Sequence, residues 1–286
     1  MFSFFANAFG YVLNAIYEIV NNYGIAIIIF TVLLKLVMLP ISVKQQVTMK
    51  KTSKVQGKVK EIQEKYKSDP VRLNQEVMAA YKEEGASPFS GCLSSIIQFI
   101  IILSIFFLVS RPLTYMKHIE PEIIDKYTQE LQEESKNMNY KEIAIIKEKS
   151  AEDENVRINM DFLTLDLSDV ASQNYTNWKV FIIPVMYVIT SIFSMRLTMS
   201  MTKKLKEKNA TQIVVTGEEN KDNKQADAME EMNKNMMLMM PVMSVMIALI
   251  APLGLALYWL VSNLLMIGER LIINKYMDSK EAKNEQ

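Results

Sequence analysis

Lys35 is the only charged residue in the run Gly24–Val43, GIAIIIFTVLLKLVMLPISV. About 20 residues at roughly 1.5 Å rise match a hydrocarbon core of about 30 Å. A lone cation there costs on the order of 2.5–3.5 kcal/mol on insertion scales. Its chemistry is electrostatic: it can hold an anion, provided that a partner or a water-filled cavity offsets the cost. Snorkelling to the interface competes with that reading, because Lys35 lies in the second half of the run. Little else in the chain could do chemistry. Cys92 is the single cysteine and His118 the single histidine. An intramolecular disulfide and a zinc site of the usual Cys/His type are excluded. A thiol nucleophile would need Cys92 to meet His118, and the two lie at opposite ends of one apolar run. Cys92 reads as a small packing residue. No Walker loop and no GxGxxG is present, so neither a nucleotide nor any other cofactor is expected, and no metal.

The elements that must position Lys35 follow from charge segregation. Of the 286 residues half are hydrophobic, and the 32 basic and 32 acidic residues cancel. The apolar residues form blocks and the charges fill the gaps, which is the pattern of a multi-spanning membrane protein. No Lys or Arg precedes Lys35, so a cleaved signal peptide is not expected. No cysteine near the start offers a lipoprotein anchor.

Residues 1–22 predict an interfacial amphipathic helix, with Phe5, Phe9, Val12, Leu13, Ile16 and Val20 at helical spacing and Asn7, Asn14 and Glu18 among the polar positions. Five spans follow: 23–43, 91–112, 178–201, 236–251 and 252–274. A tight turn at Ala251-Pro252 separates the last two, because Pro252 and Gly254 interrupt an otherwise long apolar stretch. The strictly apolar runs of spans three to five are only about 15–16 residues, or roughly 24 Å, and predict either local bilayer thinning or snorkelling by flanking residues such as Lys179, Arg196 and Lys234.

Lysine and arginine counts set the orientation. The loop 44–90 holds ten basic residues, and 113–177 holds seven basic against 14 acidic. The loop 202–235 holds seven basic residues, four of them in KKLKEK. The N-terminus is expected outside and the tail 275–286 inside. The first inner loop predicts a helical hairpin. Val55, Val59, Ile62 and Tyr66 stripe one arm, and Leu73, Val77 and Tyr81 the other. Asp69 is its N-cap, Pro70 its first helical residue, and Gly85 its end. The acidic outer loop 113–177 predicts a helix near Lys126–Lys149 and no core of its own. The second inner loop reads as a flexible connection.

Several stretches then converge in order. AIIIFTVLLKLVMLP, SVKQ and KVQGKVKEIQEKYKSDP resemble the first span and inner hairpin of the YidC/Oxa/Alb family of membrane protein insertases. SPFSGCLSSIIQFIIILSIFFLV is similar to its second span and LTLDLSDV to the segment before its third. MMPVM and APLGLALYWLVSN resemble spans four and five. GCLxxxIQ and GLALYWLVSN are the most specific of these. With no periplasmic domain before the spans, the likeness is to the Gram-positive branch.

The resemblance implies an all-α polytopic membrane protein with five transmembrane helices, in the plasma membrane of a bacterium. It implies a hydrophilic groove open to the cytoplasm, with Lys35 standing where the family has an arginine. Gln98, Ser94, Ser95, Ser262 and Asn263 suit its lining, against the alternative of interhelical hydrogen bonding. It implies a substrate slide on spans three and five, here Ile183, Tyr187, Tyr258 and Trp259. The implied partners are nascent membrane proteins, the lipid bilayer, the Sec translocase and the ribosome, with no DNA and no small-molecule substrate. The implied activity is insertion and chaperoning, not enzymatic chemistry. The chain departs from the family in having Lys35 for arginine, Ser94 for proline, a longer outer loop and a short charge-balanced tail. The rival expectation is an ion-coupled transporter or channel gated by Lys35. It lacks an Asp, Glu or His at any span centre, and Glu269 near the inner end of span five is expected to pair with Arg270 or face water.

Overall fold

The structure is a computed structural model that describes residues 2–85, 90–134, 140–211 and 246–284. It is almost entirely helical, as an all-α polytopic membrane protein must be, because only helices and closed barrels satisfy every backbone group in lipid. Among the described residues three helices are long and apolar enough to cross a membrane: Tyr23–Thr48, Trp178–Met201 and Leu253–Tyr276. Ile96–Ser110 forms a shorter apolar helix. Most of the fourth expected span, and the chain before it from 212, lies outside the described residues. The last two long segments have 24 residues each, or about 36 Å at helical rise. They are long enough to cross an unthinned bilayer, which removes the length argument for thinning. Their helices run on past Arg196, Glu269 and Arg270, where strictly apolar counting stops.

The described residues fall into two units. One gathers Met1–Val37, Ile97–Ser191 and Met243–Ile272. In it lie α1 (Phe2–Val20), the start of α2 (Tyr23–Lys65) and most of α4 (Ser90–Ser110). They are followed by α5 (Pro112–Tyr115), α6 (Pro121–Glu134) and α7 (Lys141–Lys149). A two-residue-per-strand hairpin, β1 (Asp161–Phe162) and β2 (Leu165–Asp166), precedes the start of α8 (Ile182–Thr211). Most of the apolar part of α9 (Leu253–Asn284) completes the unit.

The long acidic loop contributes apolar residues to the same core that the helices share. Leu131, Ile143, Ile145, Ile146, Val156, Ile158 and Met160 are buried in one cluster with Leu113 and Met116. Two helices, α6 and α7, stand where one was expected. Most acidic residues described in this loop are exposed or half-buried, which hides the buried positions from a composition count, while Glu142 and Asp169 are themselves buried.

Helix α1 packs on α5 through Ala6, Gly10, Leu13 and Tyr17. This face is rotated from the expected apolar one: Val12 is exposed, and Phe9, Ile16 and Val20 are only partly buried. The cause is Gly10. A Cβ there would sit 1.7 Å from the Tyr115 carbonyl oxygen, so only glycine permits this approach.

The segment 159–173 stitches the ends of three helices together. The Asn159 carbonyl accepts from Tyr23 N at 3.0 Å, and the Asp161 carbonyl accepts from the Asn22 amide at 2.6 Å. Asn22 Oδ1 accepts in turn from Ile25 N at 3.0 Å, capping α2. Further along, the Leu167 and Asp169 carbonyls accept from Gly254 N at 3.0 Å and Leu253 N at 2.8 Å. Val170 bridges Pro252, and Ser172 N donates to the Leu249 carbonyl at 2.9 Å. The chain bends at Ala251-Pro252 as expected. These are the orphan backbone groups of helix ends, satisfied by one connecting strand of chain.

The other unit gathers Met38–Ile96, Ile192–Val242 and Ile273–Gln286. Pro40 lies inside α2 without ending it. The helix α3 (Pro70–Glu83) opens on Pro70, with Asp69 Oδ1 accepting from Arg72 N at 3.0 Å. Gly85 follows with φ +57, as a helix stop requires. Lys58 joins the arms, 3.1 Å from Glu83 and 3.0 Å from Glu84. Val55 and Ala80 are buried between them.

Candidate functional site

Lys35 is residue 13 of the 26-residue segment Tyr23–Thr48. At 1.5 Å per residue it stands roughly 18 Å from the helix start. That is mid-helix and too deep for easy snorkelling. Its neighbours Leu33, Leu36 and Val37 are exposed, the last at 75%. Lys35 itself is half-buried. The charges that act on it are Glu269 and Arg270 of α9. Glu269 has one buried carboxylate oxygen, Oε1, with no hydrogen-bond partner among the described residues.

The polar residues named from sequence divide into different environments. Gln98 and Ser262 are half-buried. The hydroxyls of Ser262 and Tyr258 share a hydrogen bond one helical turn apart. Asn263 does not line an open surface. It is 7% exposed, and its amide donates to Thr190 Oγ1 at 3.2 Å and Ser191 Oγ at 3.1 Å. It ties α8 to α9, the interhelical role that polar side chains take within membranes. The side chains of Ser94 and Ser95 lie outside the described residues. Thr31 and Ser104 are buried and donate to the carbonyls four residues back, Ile27 and Ile100.

The slide residues need correction. Ile183, Tyr187 and Tyr258 are buried, and Tyr187 pairs with the half-buried Trp259, ring centroids 6.1 Å apart. The Tyr187–Trp259 ring pair joins α8 to α9. The exposed face of α8 carries Ile182, Val185, Met186 and Ile189 instead. Glu269 is the charge that sequence reasoning did not connect with Lys35, on which its field acts. Its signal was present: a carboxylate inside a segment that proves continuous with the fifth apolar run.

The outer unit adds a second polar feature. Glu142 is 5% exposed and accepts from Thr114 N at 2.9 Å and Thr114 Oγ1 at 2.6 Å. Burial pushes its carboxyl above the usual glutamate range, opposed by the Thr114 and Leu113 hydrogen bonds and by Arg111. Lys147 Nζ lies 2.6 Å from Asp169 Oδ1, holding α7 to the stitching segment.

A family model described as 60Kd inner membrane protein matches residues 15–281. Over 105 residues the chain is 44% identical to a membrane protein insertase YidC of Granulibacter bethesdensis, covering 37% of this chain and 18% of that relative. It is 40% identical over 109 residues to the membrane protein insertase YidC of Francisella tularensis subsp. novicida, covering 38% of this chain and 20% of the relative. The corresponding protein of Francisella philomiragia is 41% identical over 109 residues, with the same coverage. The matched stretch spans about a fifth of the length of these curated relatives.

Proposed function

Because the chain belongs to the 60Kd inner membrane protein family, that of the YidC insertases, we propose that it is a membrane protein insertase and chaperone in a bacterial membrane. Its N-terminus lies outside and its C-terminus in the cytoplasm, on the strength of the basic loops. A segment of a newly made protein approaches from the cytoplasmic side. Its short polar tail is held by Lys35 and the polar groups around it while it crosses. The apolar helix then leaves along the exposed face of α8 and enters lipid. Burial of that helix drives the reaction, at about 25 cal/mol per Å². The protein lowers the barrier for the polar tail, and no covalent bond changes. Nascent membrane proteins are the clients, with the Sec translocase and the ribosome as further partners. The Lys-rich hairpin offers the concentrated positive charge that RNA contact needs.

The observation that supports this reading is a half-buried cation within the apolar segment Tyr23–Thr48, in the field of Glu269 and Arg270. Such a charge needs a partner, the interface or water within reach, and a hydrated groove supplies the last. A cysteine at position 35, in a Cys92→Ser background, should react with a membrane-impermeant thiol reagent added to inverted vesicles. Absence of labelling there, with loop controls labelled, would refute the hydrated groove. Depletion of the protein should leave a defined set of new membrane proteins uninserted.

The buried Glu269 oxygen gives some support to a transporter that moves a proton or cation through a Lys35–Glu269 pair. Proteoliposomes under a pH gradient decide between the two: steady flux that Glu269→Gln abolishes would favour transport over insertion.

A further inference from the structure

At the end of α4 opens a cleft of about 440 Å³. Its wall on one side is aromatic, made by Phe106 and Phe107. Two cations stand in its lining, Arg111 and Lys141, and both are exposed. The Arg111 guanidinium lies over the Phe107 ring, 5.7 Å from its centroid, which places charge directly above an apolar surface. Ser110 lines the same cleft, is 6% exposed, and its hydroxyl has no hydrogen-bond partner among the described residues. A buried hydroxyl without a partner is uncommon and calls for an explanation, which an ordered water, an ion or a ligand group can supply. The other buried polar groups of the lining are already engaged. Glu142 accepts both Thr114 donors, and Thr128 donates to the Ile124 carbonyl at 2.7 Å. Asp125 is the remaining charge, exposed on the α6 side.

We propose that this cleft binds the phosphate of a phospholipid headgroup, with Arg111 and Lys141 as its cations, Ser110 as a hydroxyl donor, and Phe106 and Phe107 against the first acyl carbons. The ligand class follows from the combination. A phosphate diester takes several charge-assisted hydrogen bonds at once, and arginine is the side chain best matched to it. The aromatic wall continues a helix that crosses the bilayer, so acyl chains and headgroup meet it in register. The placement at the lipid boundary rests on reading the C-terminal end of α4 as the outer end of span two. An acidic protein tail would use the cations but has no need of the aromatic wall.

Native mass spectrometry of the full chain in detergent tests this without reference to insertion, so its failure leaves the insertase reading standing. The probes are dioleoyl phosphatidylethanolamine, dioleoyl phosphatidylglycerol and dioleoylglycerol. Both phospholipids should be retained at least ten-fold better than dioleoylglycerol. Arg111→Gln and Lys141→Gln should each reduce retention about five-fold and Ser110→Ala about two-fold, while Lys126→Gln changes nothing. Arg111→Lys keeps the charge and should stay within about two-fold of the native chain, which separates lost binding from lost folding. Equal retention of dioleoylglycerol, or unchanged retention in both cation variants, overturns the proposal. Displacement by millimolar inorganic phosphate overturns the lipid source in favour of free phosphate, and displacement by an acidic peptide overturns it in favour of a client tail.

Discussion

The Asn263 amide donates to the Thr190 hydroxyl at 3.2 Å, joining α9 to α8 across 73 positions of sequence. Ser191 receives the second amide hydrogen at 3.1 Å. Hydrogen bonds between membrane helices average about 0.6 kcal/mol. Asn263→Leu should therefore lower stability by about 1 kcal/mol, and Thr190→Val with Ser191→Ala by a similar amount. The combined variant should lose little more than either. Reversible unfolding in mixed micelles measures the cycle, and fully additive losses would show that these bonds are not shared.

The Lys35 substitutions form a series. Lys35→Arg should support insertion at least as well as the native residue, since the charge is kept and the guanidinium adds donors. Lys35→Ala should insert less well, and Lys35→Glu least, for clients with acidic outer tails. Neutralising those tail residues should shrink the defect. The measurement is an insertion assay with paired clients that differ only in tail charge. Equal insertion by the Lys, Ala and Glu forms for every client would make the charge dispensable.

Glu269 offsets the field of Lys35 at rest. Glu269→Gln should thus raise insertion of acidic-tailed clients relative to neutral ones, by about two-fold. The exchange Lys35→Glu with Glu269→Lys should recover part of what Lys35→Glu loses. No difference between Glu269→Gln and the native chain, in either client, would remove Glu269 from the site.

Gly10→Ala places a methyl group where the Tyr115 carbonyl already stands. The backbones must separate, at a cost of about 1–3 kcal/mol for an overpacked contact. Limited proteolysis should cut α1 faster in this variant than in Gly268→Ala, where a Cβ meets nothing within 4 Å. Equal cutting would mean that α1 does not depend on this approach.

The outer unit carries a pH signature at Glu142. Burial raises its carboxyl pKa in the folded chain, so the neutral form is the one folding favours. Its contribution is fully present below the unfolded glutamate pKa and is lost as pH rises through the folded value. Between about pH 4.3 and that raised value the native chain should lose thermal stability relative to Glu142→Gln. Melting curves over this range test it, and parallel profiles for the two chains would count against a buried ionising Glu142.

Local features of the sequence were enough for the membrane architecture and for Lys35. Long apolar runs, basic loops, the Asp69-Pro70 start of α3 and the bend at Ala251-Pro252 each act within a few residues, so pattern alone exposes them. Lys35 stands out because one charge in an apolar run is anomalous whatever surrounds it. Contacts between distant residues were decided only by the tertiary structure. Asn263 turned toward Thr190, Tyr187 paired with Trp259, and Tyr258 became buried. Gly10 rotated the packed face of α1, because close backbone approach depends on a missing side chain and not on an apolar one. The burial of the acidic loop's apolar residues was hidden for a related reason. Its buried isoleucines are dispersed among acidic residues, and burial is a property of the fold that brings Ile143 and Ile146 against Leu113, not of the stretch that contains them.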